Sequence, residues 1–405
     1  MVKSEPFNPP SADAPGKPKI ADWVPPPVTK ETHNFAKLTS IDLSLLDSDD
    51  PAVVQDLIEQ VKRAIREDGF LFLENYGVSL EQLQRQFSIA NHLHTHLSDE
   101  DKERLLFHSD TGLWAGYKHP YGFSRHRGAW DRIEQFNWYK KQWENWDLVP
   151  KCVLPFMDEI EAFSKYLSYS VNKRLLTLFS RVLELPYDDW LFDNVQLKGS
   201  PSGEGYFSHA IFRPVDENTD KSFRGVRMQG HTDYGTTTLL FSVPISCLQI
   251  YGKDEEWHYV PYKPGALVIN IGELLEILSG GHFKATLHQV NRPPADQMTF
   301  ERLSIVQFNS GIGDLRLQPI KESKLIQREG TLDYQGVYHE FKRLVDAGLP
   351  IPTNGQWREI QISQTVDPTD TERNKVGKDF EIINGKFYQV REFHGVRTVL
   401  PVQVF

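Results

Sequence analysis

Between about residue 190 and residue 310 the chain takes on a texture that constrains its fold more than any other feature. Short runs rich in β-branched and aromatic residues follow one another: GYFSHAIF, TTTLLFSV, LQIYG, EWHYVPY, ALVINIG, KATLHQV and LSIVQF, broken by Gly, Pro and Asp. Runs this short cannot lay a helical face on a core, and many short strands at close spacing close into a sandwich or barrel. The flanking sequence reads differently. LTSIDLSLL suggests a first strand and GFLFLENYG a buried one. Asp50-Pro51 suits an N-cap and first turn, with Val53, Val54, Leu57, Ile58, Val61 and Ile65 following at helical spacing. Ser79 with Gln82 makes a capping box that opens a helix to about His96, and Ser98 with Asp101 opens a shorter one. From Pro155 to Leu185 the steps Phe156, Ile160, Phe163, Leu167, Val171, Leu175, Phe179 and Val182 predict one long helix.

The 405 residues exceed one ordinary core, so additions to the β unit are expected. The reading is α+β: a Pro-rich, partly mobile arm over 1–35, a helical and strand region over 36–188, the β core over 189–345 and a C-terminal extension over 346–405. YQGVYHEFKRLVD returns to helix, while the polar tail shows strand-like patches only at FEIINGKFYQV and VRTVLPVQVF and carries no assigned role. A net charge of −10 argues against a nucleic-acid partner. The longest apolar runs, such as Ala266–Ile271, are far too short to span a bilayer, and Met1–Pro27 lacks an apolar signal core. Two cysteines, Cys152 and Cys247, make no disulfide framework, and a cytoplasmic location follows as the default. Nothing in the sequence reports the oligomeric state.

His231-Thr232-Asp233 lies where the β texture is strongest. Side chains two apart on a strand share a face, so His231 and Asp233 can meet one ion while Thr232 turns away. His288 arrives from another strand in KATLHQV. Two imidazoles and one carboxylate leave three positions open, the ligand set of non-haem iron(II) oxygenases. Arg302-Leu303-Ser304 puts a guanidinium and a hydroxyl on one strand face, a rigid fork with a third donor for a carboxylate. A buried guanidinium opposite a metal needs an anion, which a dicarboxylate would supply.

In the order GHTDYG, ALVINIGELLEILSGG, KATLHQV and RLSIVQF the chain resembles the isopenicillin N synthase-like branch of the 2-oxoglutarate- and iron-dependent dioxygenases. IDLSLLDSDD…DGFLFLENYGV and GYKHPYGF…DRIEQFNW are similar to that branch too, so the resemblance spans roughly residues 36–345. It implies a double-stranded β-helix (jelly-roll) core behind a helical N-terminal region. It implies that His231, Asp233 and His288 bind Fe(II), that Arg302 and Ser304 hold the distal carboxylate of 2-oxoglutarate, and that Asn270 lies close to that co-substrate. O2 is then the second co-substrate, succinate and CO2 are released, and a small organic molecule, plausible as a natural product, is hydroxylated, desaturated or rearranged. Many relatives place a Tyr on the strand before the H-x-D, where this chain offers Phe212 or Ala210.

Other residues compete for these roles. His108-Ser109-Asp110 is a second H-x-D, but it follows a helical segment and has no R-x-S at a matching distance. His92, His94 and His96 alternate within a helix and suit solvated or packing roles better than a metal. Tyr117, Phe123 and Phe212 are candidates for lining a substrate pocket, although aromatic residues are core at least as often. Two other functions fit the motifs: an iron oxidase in which Arg302 grips a substrate carboxylate, and a jelly-roll binding protein without turnover.

Overall fold

A computed structural model describes residues 5–107, 113–120, 124–126, 129–196, 204–222, 225–332, 336–348, 350–363, 380–383, 386–393 and 396–401. The first half contains β1 (Ser40–Asp42), α1 (Pro51–Glu67), β2 (Phe70–Glu74), α2 (Leu80–His96), β3 (Gly116–Lys118), β4 (Ile133–Trp138), α3 (Met157–Tyr166) and α4 (Asn172–Val182). The caps are those the sequence calls for. Asp50 accepts from the Ala52 N–H at 2.9 Å, and Ser79 and Gln82 hold each other's backbone N–H groups. The long helix expected over 155–185 is divided: α3 and α4 are joined by a wide π turn, Leu167–Val171, in which Ser168 is held by Gln196 at 3.0 Å.

The strands of the second half are β5 (Tyr206–Phe212), β6 (Met228–His231), β7 (Thr237–Phe241), β8 (Leu248–Tyr251), β9 (Trp257–Tyr259), β10 (Leu267–Ile271), β11 (His288–Val290) and β12 (Arg302–Phe308), with α5 (Glu273–Leu278) between β10 and β11. They form a large sheet in the order β1-β2-β10-β7-β12-β5-β4-β3 and a small one in the order β9-β8-β11-β6. Side chains of both sheets line one cavity. This is a jelly-roll within an α+β chain. Period-two alternation sorts the large sheet. On β12, Arg302, Ser304, Val306 and Phe308 face the cavity, whereas Leu303 and Ile305 join the core beneath the helices and Gln307 accepts from Ser164 of α3 at 3.0 Å.

Two expectations need correction. The Pro-rich arm, from residue 5 onward, is clamped: Phe7 is buried, Trp23 stacks on Phe87 of α2 at 4.5 Å, and Lys17 pairs with Asp158 and Glu159. Spaced anchors hold a segment that has no internal hydrogen-bond ladder of its own. The tail is also more than polar chain with late strands. After α6 (Val337–Asp346) comes α7 (Asn354–Ser363), burying Trp357 and Ile362; β13 (Phe380–Ile383), β14 (Lys386–Phe393) and β15 (Val396–Pro401) then form a separate sheet. Among the described residues, no helix is long and apolar enough to cross a membrane.

Candidate metal centre and co-substrate pocket

His231 is the last residue of β6 and His288 the first of β11, and the two stand directly opposite each other in the antiparallel pair. Each Nδ1 lies beside a carbonyl two residues back in its own chain, Gln229 O at 2.8 Å and Thr286 O at 3.0 Å. A ring that donates from Nδ1 carries its lone pair on Nε2, so both histidines are set as ligands. Asp233 reaches them from off the strand. The expectation that His231 and Asp233 share one strand holds for His231 alone, because β6 ends there and the chain turns.

Backbone hydrogen bonds hold that turn. The N–H groups of Gly272, Glu273 and Leu274 donate to Thr236 O, Asp233 O and Gly235 O at 2.9, 2.7 and 3.1 Å. The chains pass so closely that a Cβ on Gly235 would lie 2.1 Å from Asn309 O, and one on Gly272 would lie 2.1 Å from Gly235 O. Only glycine fits at either crossing. The outcome is Asp233 Oδ1 at 3.7 Å from both Nε2 atoms. Oδ2 points away and accepts from Thr238 Oγ1 at 2.6 Å and Asn270 Nδ2 at 2.8 Å. In the metal-free chain burial pushes the Asp233 carboxyl up, but the positive charge that His288 and His231 carry when protonated, together with those two hydrogen bonds, outweighs it and holds it below the usual carboxylate range.

Among the described residues, this trio is the only group of three or more His, Cys, Asp or Glu side chains whose ligand atoms gather closely enough for one ion. One carboxylate and two neutral imidazoles on one side of an ion fit iron(II) with open positions. His92 and His96 instead stack on each other at 4.1 Å, and His94 is buried toward Glu134. His108-Ser109-Asp110 lies outside the described residues.

Arg302 is 6% exposed, and its Nη1 donates to Ser304 Oγ at 2.8 Å. The guanidinium lies over the Phe212 ring, 5.5 Å from its centre. Its Nε is buried with no hydrogen-bond partner, and among the described residues no carboxylate pairs with it. A buried cation in that state is half of an ion pair. The anion it lacks fits the distal carboxylate of 2-oxoglutarate, since the same cavity wall leads from Arg302 to the trio. Register explains the missing tyrosine: Phe212 stands opposite Arg302 and Ala210 opposite Ser304, so the ring supports the guanidinium and the methyl group leaves room.

Asn270 lines the same cavity, and its side-chain amide donates to Asp233, a contact with the candidate metal ligand that the resemblance did not name. Of the aromatic candidates, Phe212 lines the cavity. Tyr117 does not: its hydroxyl donates to Glu134 at 3.2 Å on the far face of the sheet. Its neighbour Lys118 faces the cavity instead, paired with Asp131 at 2.8 Å. One step in strand parity separates the two. Phe123 lies outside the described residues. Thr238, Lys118, Asp131 and Gln135 also line the cavity, and nothing local in the sequence distinguishes them from ordinary strand residues. Asn270→Ala tests the support of Asp233: losing such a partner typically costs ~10–100-fold in metal affinity, and with Thr238 still bonded we expect the lower end. Anaerobic iron(II) titration reads this directly, and wild-type affinity would mean the bond orients nothing.

The fold and this site define an iron-dependent oxygenase. Residues 208–310 match the family model of the 2OG-Fe(II) oxygenase superfamily, and residues 38–151 match the model described as the non-haem dioxygenase in morphine synthesis N-terminal region. The chain belongs to the 2-oxoglutarate- and Fe(II)-dependent oxygenase superfamily, in its isopenicillin N synthase-like clan, and uses that family's iron and 2-oxoglutarate. It is 25% identical over 310 residues to a homoarginine-6-hydroxylase of Oryza sativa, covering 71% of this chain and 90% of that one. A 2-oxoglutarate-dependent dioxygenase of Didymella fabae is 26% identical over 290 residues, covering 65% and 82%. In fold, the chain is similar to a full-length Neurospora crassa protein solved in complex with alpha-KG, at a TM-score of 0.66 and 17% identity over 84% of this chain and all of that one.

Proposed function

We propose that His231, Asp233 and His288 hold the iron, that Arg302 and Ser304 hold the distal carboxylate of 2-oxoglutarate, and that the chain oxidises a C–H bond of a small organic molecule. The observation that carries this reading is the buried Arg302 guanidinium, lacking an anion and sharing one cavity with the trio. When bound, iron(II) with 2-oxoglutarate and dioxygen supplies the oxidising chemistry, in which the keto acid becomes succinate and CO2 and one oxygen atom passes to the substrate. The chain's own residues do the positioning. Nδ1 bonds orient the imidazoles, Thr238 and Asn270 aim Asp233, and the fork at Arg302 sets the direction from which the co-substrate enters.

Register also supports a separate place for the substrate. Gln135, Ala210 and Ser304 stand side by side on β4, β5 and β12, with Lys118 beyond Gln135 on β3. The small Ala210 therefore divides an anion-binding side from a second polar corner made by Lys118, Asp131 and Gln135. In that corner Asn137 Nδ2 donates to Trp114 O, so its Oδ1 accepts from Gln135 Nε2 at 2.8 Å and Ser208 Oγ at 2.7 Å. Gln135 thus keeps its carbonyl as the group to offer a ligand, which favours a substrate carrying an N–H or O–H donor. A reducing cytosol suits the two cysteines, which are both free.

Anaerobic addition of 2-oxoglutarate to the iron(II) protein should produce a charge-transfer absorption, because the keto acid chelates the metal. Phe212 and Ala210, where relatives have Tyr, remove at most one hydrogen bond, about 0.5–1.5 kcal/mol, so chelation should survive. With substrate and oxygen present, succinate should appear in step with product. Product formed at full rate without 2-oxoglutarate would favour the oxidase reading, and bound iron with no oxygen uptake across a broad substrate screen would favour a binding protein.

A further inference from the structure

The C-terminal extension plays no part in the reading above, yet α7 reaches the metal loop. Asn354 seats the helix on the segment after β12: its side-chain N–H donates to Gly311 O at 2.7 Å and its backbone N–H to Leu315 O at 2.8 Å. One turn on, Trp357 is 5% exposed and meets Phe341 of α6 edge to face at 5.9 Å. Its indole N–H donates to Glu273 Oε2 at 2.7 Å. Glu273, with no exposed surface at the start of α5, accepts through its other oxygen, Oε1, from the hydroxyl of Thr232, the residue between His231 and Asp233. Its backbone N–H donates to Asp233 O at 2.7 Å. Glu273 therefore braces the loop at two successive residues, and Trp357 braces Glu273. The next residue of α7, Arg358, pairs with Glu204 at 3.0 Å and lies within electrostatic reach of Tyr234, on the other side of Asp233.

We infer that Trp357 is a positioning residue for the metal centre, acting through Glu273 on Thr232 and Asp233. An indole has one donor and no acceptor, so the direction of its bond is settled by chemistry. Without that donor the buried carboxylate loses one of the hydrogen bonds that fix its position, and its hold on Thr232 and the Asp233 backbone loosens. The inference rests on the assignment of His231, Asp233 and His288 to iron.

In the full-length protein, Trp357→Phe keeps a ring against Phe341 and removes the N–H. Anaerobic iron(II) titration should show affinity lowered about three- to tenfold, less than the ~10–100-fold cost of losing a partner bonded to the ligand itself. The charge-transfer band formed with 2-oxoglutarate should shift or broaden. The melting temperature of the metal-free protein should stay within about 2 °C of wild type, the scale of one lost hydrogen bond in a chain of this size. Glu273→Gln should show the same pattern more strongly, and it decides alone if Trp357→Phe proves unstable. Unchanged affinity and band in both variants would overturn the inference. So would weakened iron binding accompanied in both by an equivalent loss of metal-free stability, since that marks a packing role. Wild-type protein that takes up no iron(II) would reject the metal assignment itself, and the inference with it.

Discussion

Asp233→Ala is expected to leave a folded protein that no longer holds iron(II), with turnover lost in step. Asp233 is the only anion of the trio, and its Oδ1 is 3.7 Å from both imidazole Nε2 atoms. Losing a group that merely supports a ligand typically costs ~10–100-fold in metal affinity, so losing the ligand should exceed about 100-fold. The fold should tolerate the change. Thr238 and Asn270 lose their acceptor, at about 1–3 kcal/mol, but a buried carboxylate is removed at the same time. Anaerobic titration with iron(II), read beside a thermal melt, separates the two effects. His108→Ala, in the other H-x-D of the chain, should leave iron binding intact. The opposite pattern, iron retained without Asp233 and lost without His108, would move the centre there.

Arg302→Lys should raise the concentration of 2-oxoglutarate needed for half-maximal turnover by tenfold or more, while the requirement for substrate changes little. Lysine keeps the charge but presents one ammonium where arginine presents a planar fork. The lost charge-assisted contact is worth on the order of 1.5–3 kcal/mol, which is tenfold or more in affinity. Arg302→Leu should go further, because the charge is lost along with the fork, and Lys118, which also lines the cavity, is already paired with Asp131. Steady-state kinetics with each reactant varied in turn gives the answer. If the substrate requirement rises instead and that for 2-oxoglutarate is unmoved, Arg302 grips the substrate, as the oxidase reading requires.

The parts of the site legible in the sequence are those whose chemistry is unusual for their surroundings. A His, an Asp and an Arg in buried β segments carry desolvation costs that only a partner relieves, and so His231, Asp233, His288 and Arg302 stand out against their neighbours. Thr238 and Gln135 carry no such cost and look like any other strand residue. Tyr117 reads as the pocket residue ahead of Lys118 because aromatic side chains suggest pocket walls, but the pairing of β3 with β4 sets the parity, and it turns Lys118 inward.

Near-neighbour chemistry decided much of the local structure. Caps at Asp50 and Ser79, the apolar steps of α1, and the placing of Arg302 and Ser304 on one face of β12 all depend on residues a few positions apart, and the structure follows them. Contacts between distant segments decided the rest. Asp233 left its strand because α5, some 40 positions on, supplies the N–H groups that close the turn, and Gly235 and Gly272 let the chains cross. The proline-rich arm is ordered by Phe87 and Glu159, and α7 is ordered by the segment after β12, neither of which leaves a periodic mark on the segment it holds. A hydrogen bond or ring contact between segments far apart in the chain needs a matching group on each side. Only folding brings the two sides together, so the sequence of one shows a donor or an apolar surface without showing what will meet it.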